Sequence, residues 1–245
     1  MSLAVLGVIP ARLASTRLPR KAIREIAGLP LVVHVFRSAR RSPLLSDLVV
    51  ATDAAEVMAV CQQHGVPAVM TSPDHPSGTD RVWEVAQTRP AEVYVNIQGD
   101  EPMIAPGHIE RLVTPFAADP AVQVTTLRLR ATAAEAANLS VTKVVTSVRG
   151  DALYFSKLKI PNDRDGRGGI VYWKHMGLYA FRRGALETFH GLPPSPLERA
   201  EQLEQLRLME AGIPIRVIET DEPTVEVNTE EDLRAAEALL LSRPH

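Results

Sequence analysis

The chain has 245 residues, 45% hydrophobic and 23% charged, with 27 Lys and Arg against 29 Asp and Glu for a formal charge of −2. That length allows one large domain or a domain with a subordinate lobe, and the near-neutral balance excludes a global field recruiting nucleic acid or a membrane surface. The single Cys61 excludes internal disulfides and fits a reducing compartment. No apolar run approaches the ~20 residues of a membrane span, and the N-terminal apolar run is too short for a secretory leader. A soluble cytoplasmic protein is expected.

Residues 3–9 have the length and β-branched content of a buried strand, which Pro10 closes because proline cannot donate to a ladder. After a cationic loop, an apolar-periodic helix is expected from Pro30 to Arg41, then a strand over 47–52. Asp53 is placed to cap a helix over 54–64, with Gly65 as its stop. A third strand follows over 66–71, a helix from Ser77 to about Arg89, and a fourth strand over 93–97. Strand–helix alternation with short connections predicts an α/β fold, a mostly parallel open sheet covered on both faces.

The second half is less regular. Strands are expected over 122–130, 142–148 and 174–181, a flexible loop over 163–169, and a strongly charged helix over 196–210. A last amphipathic helix over 229–241 has Thr229 as its cap and acids in its first turn. With no internal repeat and no dividing linker, residues 1–245 read as one domain. It comprises a first half of 1–120, a smaller irregular α+β lobe over about 122–220 beside the sheet, and a C-terminal segment 225–245 returning to the main sheet. The lobe is also a candidate dimer surface.

Three stretches can carry chemistry. From Arg12 to Arg24 there are five cations (Arg12, Arg17, Arg20, Lys21, Arg24) and no acid, interleaved with Ala11, Ala14, Ser15 and Thr16. Small residues let backbone N–H groups reach an anion that Arg and Lys neutralise, so a triphosphate cradle fits this loop. A solvated basic loop fits as well. Its place after the first strand favours the cradle, although it is neither a Walker A nor a G-x-G-x-x-G motif. Next, Gln98-Gly99-Asp100-Glu101-Pro102 puts a carboxylate at the end of the fourth strand, where hard oxygens suit Mg²⁺ and a triphosphate; an ordinary turn explains it equally. The third stretch, residues 74–81, pairs Ser77-Gly78-Thr79 at a helix start with Arg81, which suits a nucleotide or serves only as a cap. Composition alone leaves Glu198, Glu201, Glu204, Arg199 and Arg207 as a solvated helix face. No zinc-hydrolase or G-x-S-x-G pattern is present.

In order and at similar spacing, IPARLASTRLPRK, VATD, DHPSGTDR, NIQGDEPMI, YFSKLKIPNDRD, YWKHMGLYAF, SPLERAEQLEQLR and VNTEEDL resemble the 3-deoxy-manno-octulosonate (Kdo) cytidylyltransferase family, the CMP-Kdo synthetases, nearly end to end. The Gly-Ser-Lys type of first loop usual in acylneuraminate cytidylyltransferases is absent. The resemblance implies the Rossmann-like architecture of nucleotide-diphospho-sugar transferases, with a nucleotide-binding half and a sugar-binding, dimerising lobe. It also implies transfer of CMP from CTP to the C2 hydroxyl of Kdo for lipopolysaccharide biosynthesis, and a homodimer. Arg12, Lys21, Gln98 and Asp100 would be catalytic. Ala11, Arg12, Ser15, Thr16, Arg17, Lys21, Ser77, Gly78 and Arg81 would hold the nucleotide. Arg164, His175, Tyr179, Glu204 and Gln205 would hold the sugar, and Asp100 and Asn228 would bind Mg²⁺.

Three departures stand out. Arg20 takes the place of an expected glycine, the segment between Arg164 and His175 is short, and Asn228 replaces a metal-binding Asp. An amide oxygen still binds Mg²⁺, so an active site with weaker Mg²⁺ affinity is expected. The alternatives are a Kdo variant such as 8-amino-Kdo or another 2-keto sugar acid as substrate, and an inactive nucleotide-binding subunit of the same fold.

Overall fold

A computed structural model gives the structure of the chain and describes residues 3–13 and 18–242. Two compact units form: one of residues 1–110 with 224–245, the other of 111–223. Each has its own strands and core.

In the first unit, β1 (Val5–Pro10) is buried along nearly its whole length, as an all-apolar strand covered on both faces must be. Two short strands, β2 (Glu25–Ile26) and β3 (Leu29–Pro30), form a hairpin. Ala27 and Gly28 both have positive φ at its two-residue turn, the geometry that matches strand twist. Helix α1 (Leu31–Ala39), β4 (Asp47–Thr52), α2 (Ala55–Gln63), β5 (Ala68–Met70), α3 (Gly78–Thr88) and β6 (Val93–Asn96) follow. β4 and β6 flank β1 and β5 flanks β4, every pair parallel. The order β6-β1-β4-β5, with helices as crossovers, is the α/β arrangement expected. Residues 224–242 return to this unit as α9 (Glu230–Ser242), with Thr229 Oγ1 accepting from Asp232 N at 3.2 Å. This segment adds a helix and no strand, packing Leu233 and Ala236 against Leu18, Ile26 and Leu31.

Helix α4 (Pro106–Ala118) carries the chain into the second unit, which holds β7 (Val124–Arg130), α5 (Ala133–Ala137), β8 (Lys143–Thr146), β9 (Ala152–Ser156), β10 (Trp173–Arg182), α6 (Arg183–Gly191), α7 (Pro196–Glu201), α8 (Gln205–Glu210) and β11 (Ile215–Thr220). β7 pairs with β11 in parallel and with β10 antiparallel, and the hairpin β8–β9 joins β10 through Lys143. The pattern reading above does not include β9, β11, α4, α5 or α6.

Two expectations are corrected. Asp53 does not cap α2, whose N-cap is Ala54 without a side-chain cap; its carboxylate instead takes Arg81 Nη2 at 2.8 Å. The charged helix over 196–210 is two helices, broken where Gln202 enters the left-handed region at φ 56°. The break folds α8 back onto α7, so Arg207 is buried and grips both carboxylate oxygens of Glu198, at 2.8 and 2.5 Å. Its guanidinium lies 4.3 Å from the Phe189 ring. Glu198 and Arg207 are therefore an internal clamp and Glu201 accepts from Ser156 and Lys157, whereas Arg199 is exposed as a solvated face would have it.

Candidate active site

A cavity of about 310 Å³ opens in the first unit at the carboxyl ends of β1 and β6, where parallel sheets place ligands. It lies at the lower end of the range for small-molecule sites. Ala11 and Arg12 enter it from β1, and Gln98, Gly99 and Asp100 from β6. The turn carrying Asp100 presses on β1: a Cβ at Gly99 would sit 2.7 Å from the Pro10 carbonyl oxygen. Backbone cannot yield there. Gly99→Ala is therefore expected to shift the Asp100 turn and cost about 1–3 kcal/mol in a urea melt, where an unchanged midpoint would be the contrary result.

Lys21 opens a 3-10 turn (Lys21–Ile23) behind Arg20, whose backbone is left-handed at φ 59°. Arg20 thus takes the conformation that a glycine adopts freely. Lys21 Nζ donates to Asp100 Oδ2 at 2.6 Å and to Asn228 Oδ1 at 3.2 Å. One ammonium therefore joins three parts of the sequence at one point. Asp100 and Asn228, separated by more than a hundred residues, present oxygens to the same cation.

The cationic run divides. Arg12 is exposed and lines the cavity, whereas Arg20 pairs with Glu56 on α2 and Arg24 with Glu230 on α9. Ser15, Thr16 and Arg17, together with Ala14, lie outside the described residues. Ser77 and Gly78 line the cavity, but the Ser77 hydroxyl is engaged in capping: it accepts from Asp80 N at 3.1 Å and donates to Asp80 Oδ2 at 2.7 Å. His75 is hydrogen-bonded to Glu84. Arg81 lines the cavity while its guanidinium is held by Asp53 and Thr71. Arg81 accordingly braces the wall of the cavity that it lines.

The second unit holds the residues assigned to a sugar. His175 and Tyr179 flank the irregularity in β10, their rings 5.3 Å apart, and Phe155 meets His175 edge-on at 4.9 Å. Thr126 Oγ1 lies 2.9 Å from His175 Nε2 and donates to the Leu178 carbonyl at 2.8 Å. The same hydroxyl lies 3.2 Å from the Met176 carbonyl, so it ties His175 to the irregular stretch of β10. Burial pushes the Tyr179 hydroxyl well above its ordinary pKa, and the Glu204 carboxylate adds to the shift. Gln205 is buried, and its Nε2 has no partner among the described residues. Arg164 is exposed on the loop over 163–169 and makes no hydrogen bond or ion pair to the other four among the described residues.

Burial lowers His175 to a pKa of about 3. An unfolded histidine protonates near 6.5, so its contribution to stability is full above that pH and is lost as pH falls towards 3. Between pH 7 and 5 the loss is about 2 kcal/mol. Urea melts at the two pH values are expected to show this slope in the wild type and a shallower one in His175→Gln. Equal slopes would exclude a neutral His175.

Two carboxylates beside Asp100 are not singled out by sequence pattern. Glu101 is buried, and burial pushes its carboxyl up to about 8, with Asp100 and Glu226 adding to the shift. Glu226 lines the cavity itself. The signal for it is the alternation Val225-Glu226-Val227-Asn228, which becomes informative once Val227 is known to be buried.

Comparison with known proteins agrees with this geometry. Residues 6–220 match the family model described as Cytidylyltransferase. A 3-deoxy-manno-octulosonate cytidylyltransferase of Acidobacterium capsulatum is 57% identical, covering 99% of this chain and 98% of that one. The chain belongs to the 3-deoxy-manno-octulosonate cytidylyltransferase family. Another member, from Koribacter versatilis, is 51% identical over 97% of this chain and 90% of its own. Among solved structures, a CMP:2-keto-3-deoxy-manno-octonic acid synthetase complexed with CTP is 45% identical. It covers 97% of this chain and 98% of that one at a TM-score of 0.93. A cytidylyltransferase from Leptospira borgpetersenii, 15% identical with a TM-score of 0.67, shares the fold. The nucleotidyltransferase architecture expected from the sequence is thereby established, as is membership of a transferase family.

Proposed function

We propose that the chain transfers CMP from CTP to the C2 hydroxyl of Kdo, giving CMP-Kdo and pyrophosphate. The observation that carries this reading is the convergence of Lys21, Asp100 and Asn228 at one cavity, in a chain 57% identical to a Kdo cytidylyltransferase. The C2 oxygen attacks the α-phosphorus, the bond from that phosphorus to the β-phosphate bridging oxygen breaks, and the hydroxyl proton leaves to solvent. Positioning and charge neutralisation dominate such a transfer. Arg12 and Lys21 neutralise the triphosphate, with Ser15, Thr16 and Arg17 of the same loop; Ala11, Ser77, Gly78 and the braced Arg81 shape the nucleotide wall; Gln98 lies beside the reacting groups. Arg164, His175, Tyr179, Glu204 and Gln205 bind the sugar, for which the unfilled Gln205 donor is suited.

Asp100 and Asn228 offer hard oxygens that already face a cation, a donor set that fits Mg²⁺. When bound there, Mg²⁺ would polarise the phosphate oxygens and template the reactants. Among the described residues no helix is long and apolar enough to cross a membrane. The family resemblance supports a cytoplasmic homodimer serving lipopolysaccharide biosynthesis.

The test is pyrophosphate release with CTP, Mg²⁺ and Kdo, each omitted in turn. Release that needs all three supports the reading. Release with 8-amino-Kdo or an acylneuraminate but not Kdo would move the substrate, and CTP binding with no release for any keto-sugar would make the chain a silent subunit.

A further inference from the structure

Residues 224–229 run beside the Asp100 turn, held there by Val227 N donating to the Asp100 carbonyl oxygen at 2.9 Å. Val227 is fully buried against Leu18, Ile26 and Leu31. Val227 is anchored inward, while its two neighbours Glu226 and Asn228 face the cavity. Both line the cavity that holds Lys21 and Asp100.

Asn228 gives this site a neutral oxygen. The charge and number of oxygen ligands set the strength of a hard-cation site, and an ammonium already sits between Asp100 and Asn228. Among the described residues no group of three or more His, Cys, Asp or Glu side chains is arranged to hold a metal ion. A further carboxylate can reach the site by rotating its side chain. Glu226 can do so: it is exposed, no ion pair fixes it among the described residues, and it stands two positions from Asn228 on the same side of the segment.

We propose that Glu226 supplies the second carboxylate toward the divalent cation, carrying two residues earlier the charge that Asn228 lacks. The site then faces the cation with the carboxylates of Asp100 and Glu226 and the amide oxygen of Asn228. This inference rests on the divalent-cation reading of the Asp100 site.

Calorimetry of CTP binding with and without Mn²⁺, in the absence of sugar, tests it. In the wild type Mn²⁺ is expected to tighten CTP binding. Glu226→Gln is expected to lose about tenfold of that gain, while metal-free CTP binds as well or better, because a negative charge facing the triphosphate is gone. Asn228→Asp in the Glu226→Gln background is expected to restore the gain. Melting temperatures should stay level, since Glu226 is exposed. An unchanged Mn²⁺ gain in Glu226→Gln overturns the assignment of Glu226 and leaves the site reading intact. A wild type without any Mn²⁺ gain overturns the site reading as well.

Discussion

Asp100→Asn is expected to lower kcat/KM for Kdo-dependent pyrophosphate release by about a thousandfold, roughly 4 kcal/mol of transition-state stabilisation. The carboxylate stands at the end of β6, in a turn pressed onto β1 at Gly99, with Lys21 held on one of its oxygens. The amide is isosteric, so the turn and its backbone tie to Val227 remain. What changes is charge: the proposed Mg²⁺ site loses a full carboxylate, and Lys21 loses its ion pair. Because the Lys21–Asp100 pair is only partly buried, stability should move by no more than about 1 kcal/mol. A variant retaining more than a tenth of wild-type activity with unchanged Mg²⁺ dependence would remove Asp100 from the chemistry.

Glu198→Gln is the change expected to damage folding most. Glu198 grips Arg207 through both oxygens, and it also accepts from Ser195 N at 3.0 Å to complete the capping box of α7. The Arg207 side chain is only 6% exposed. Arg207 also donates to the carbonyls of Phe189 and Leu192, both at 3.3 Å, and its guanidinium lies over the Phe189 ring. Removing the carboxylate breaks a buried bidentate ion pair, which costs about 3–5 kcal/mol. Urea unfolding of the two proteins at pH 7 measures this directly, and a difference under 1 kcal/mol would mean that water reaches the guanidinium. Gln205, the sugar-binding candidate, opens α8 two residues before Arg207, so KM for Kdo should rise in this variant before CTP affinity changes.

What could be read in advance follows from how far each signal reaches along the chain. The alternation of β1, α1, β4, α2, β5, α3 and β6 is written locally, in short apolar runs separated by turn residues. The Asp100 turn and the Ser77 cap are similarly local, so both were visible as candidate sites. Asp53 was legible as a cap because capping is a short-range preference, yet Arg81 on α3 takes it. Gln202 carries no mark of its left-handed backbone, since only glycine advertises that conformation. The break between α7 and α8, and with it the burial of Arg207, therefore stayed hidden. Glu226 is illegible in the sequence for the converse reason. Its role depends on which way Val227 points, and that is decided by Leu18, Ile26 and Leu31, roughly two hundred residues away in sequence.

The tie between Val227 and Asp100 also bears on how the protein forms. Residues 111–223 are nested inside the first unit, which resumes only at Thr224. Closing the nucleotide cavity thus means joining two ends of an interruption more than a hundred residues long. A disordered interruption of that length opposes closure through its chain entropy, whereas a folded one holds its ends within bounds. Early folding of the inserted unit would therefore speed completion of a site to which it need contribute no side chain. Substitutions such as Glu198→Gln should slow the recovery of CTP binding during refolding, even though Glu198 lies outside the nucleotide cavity.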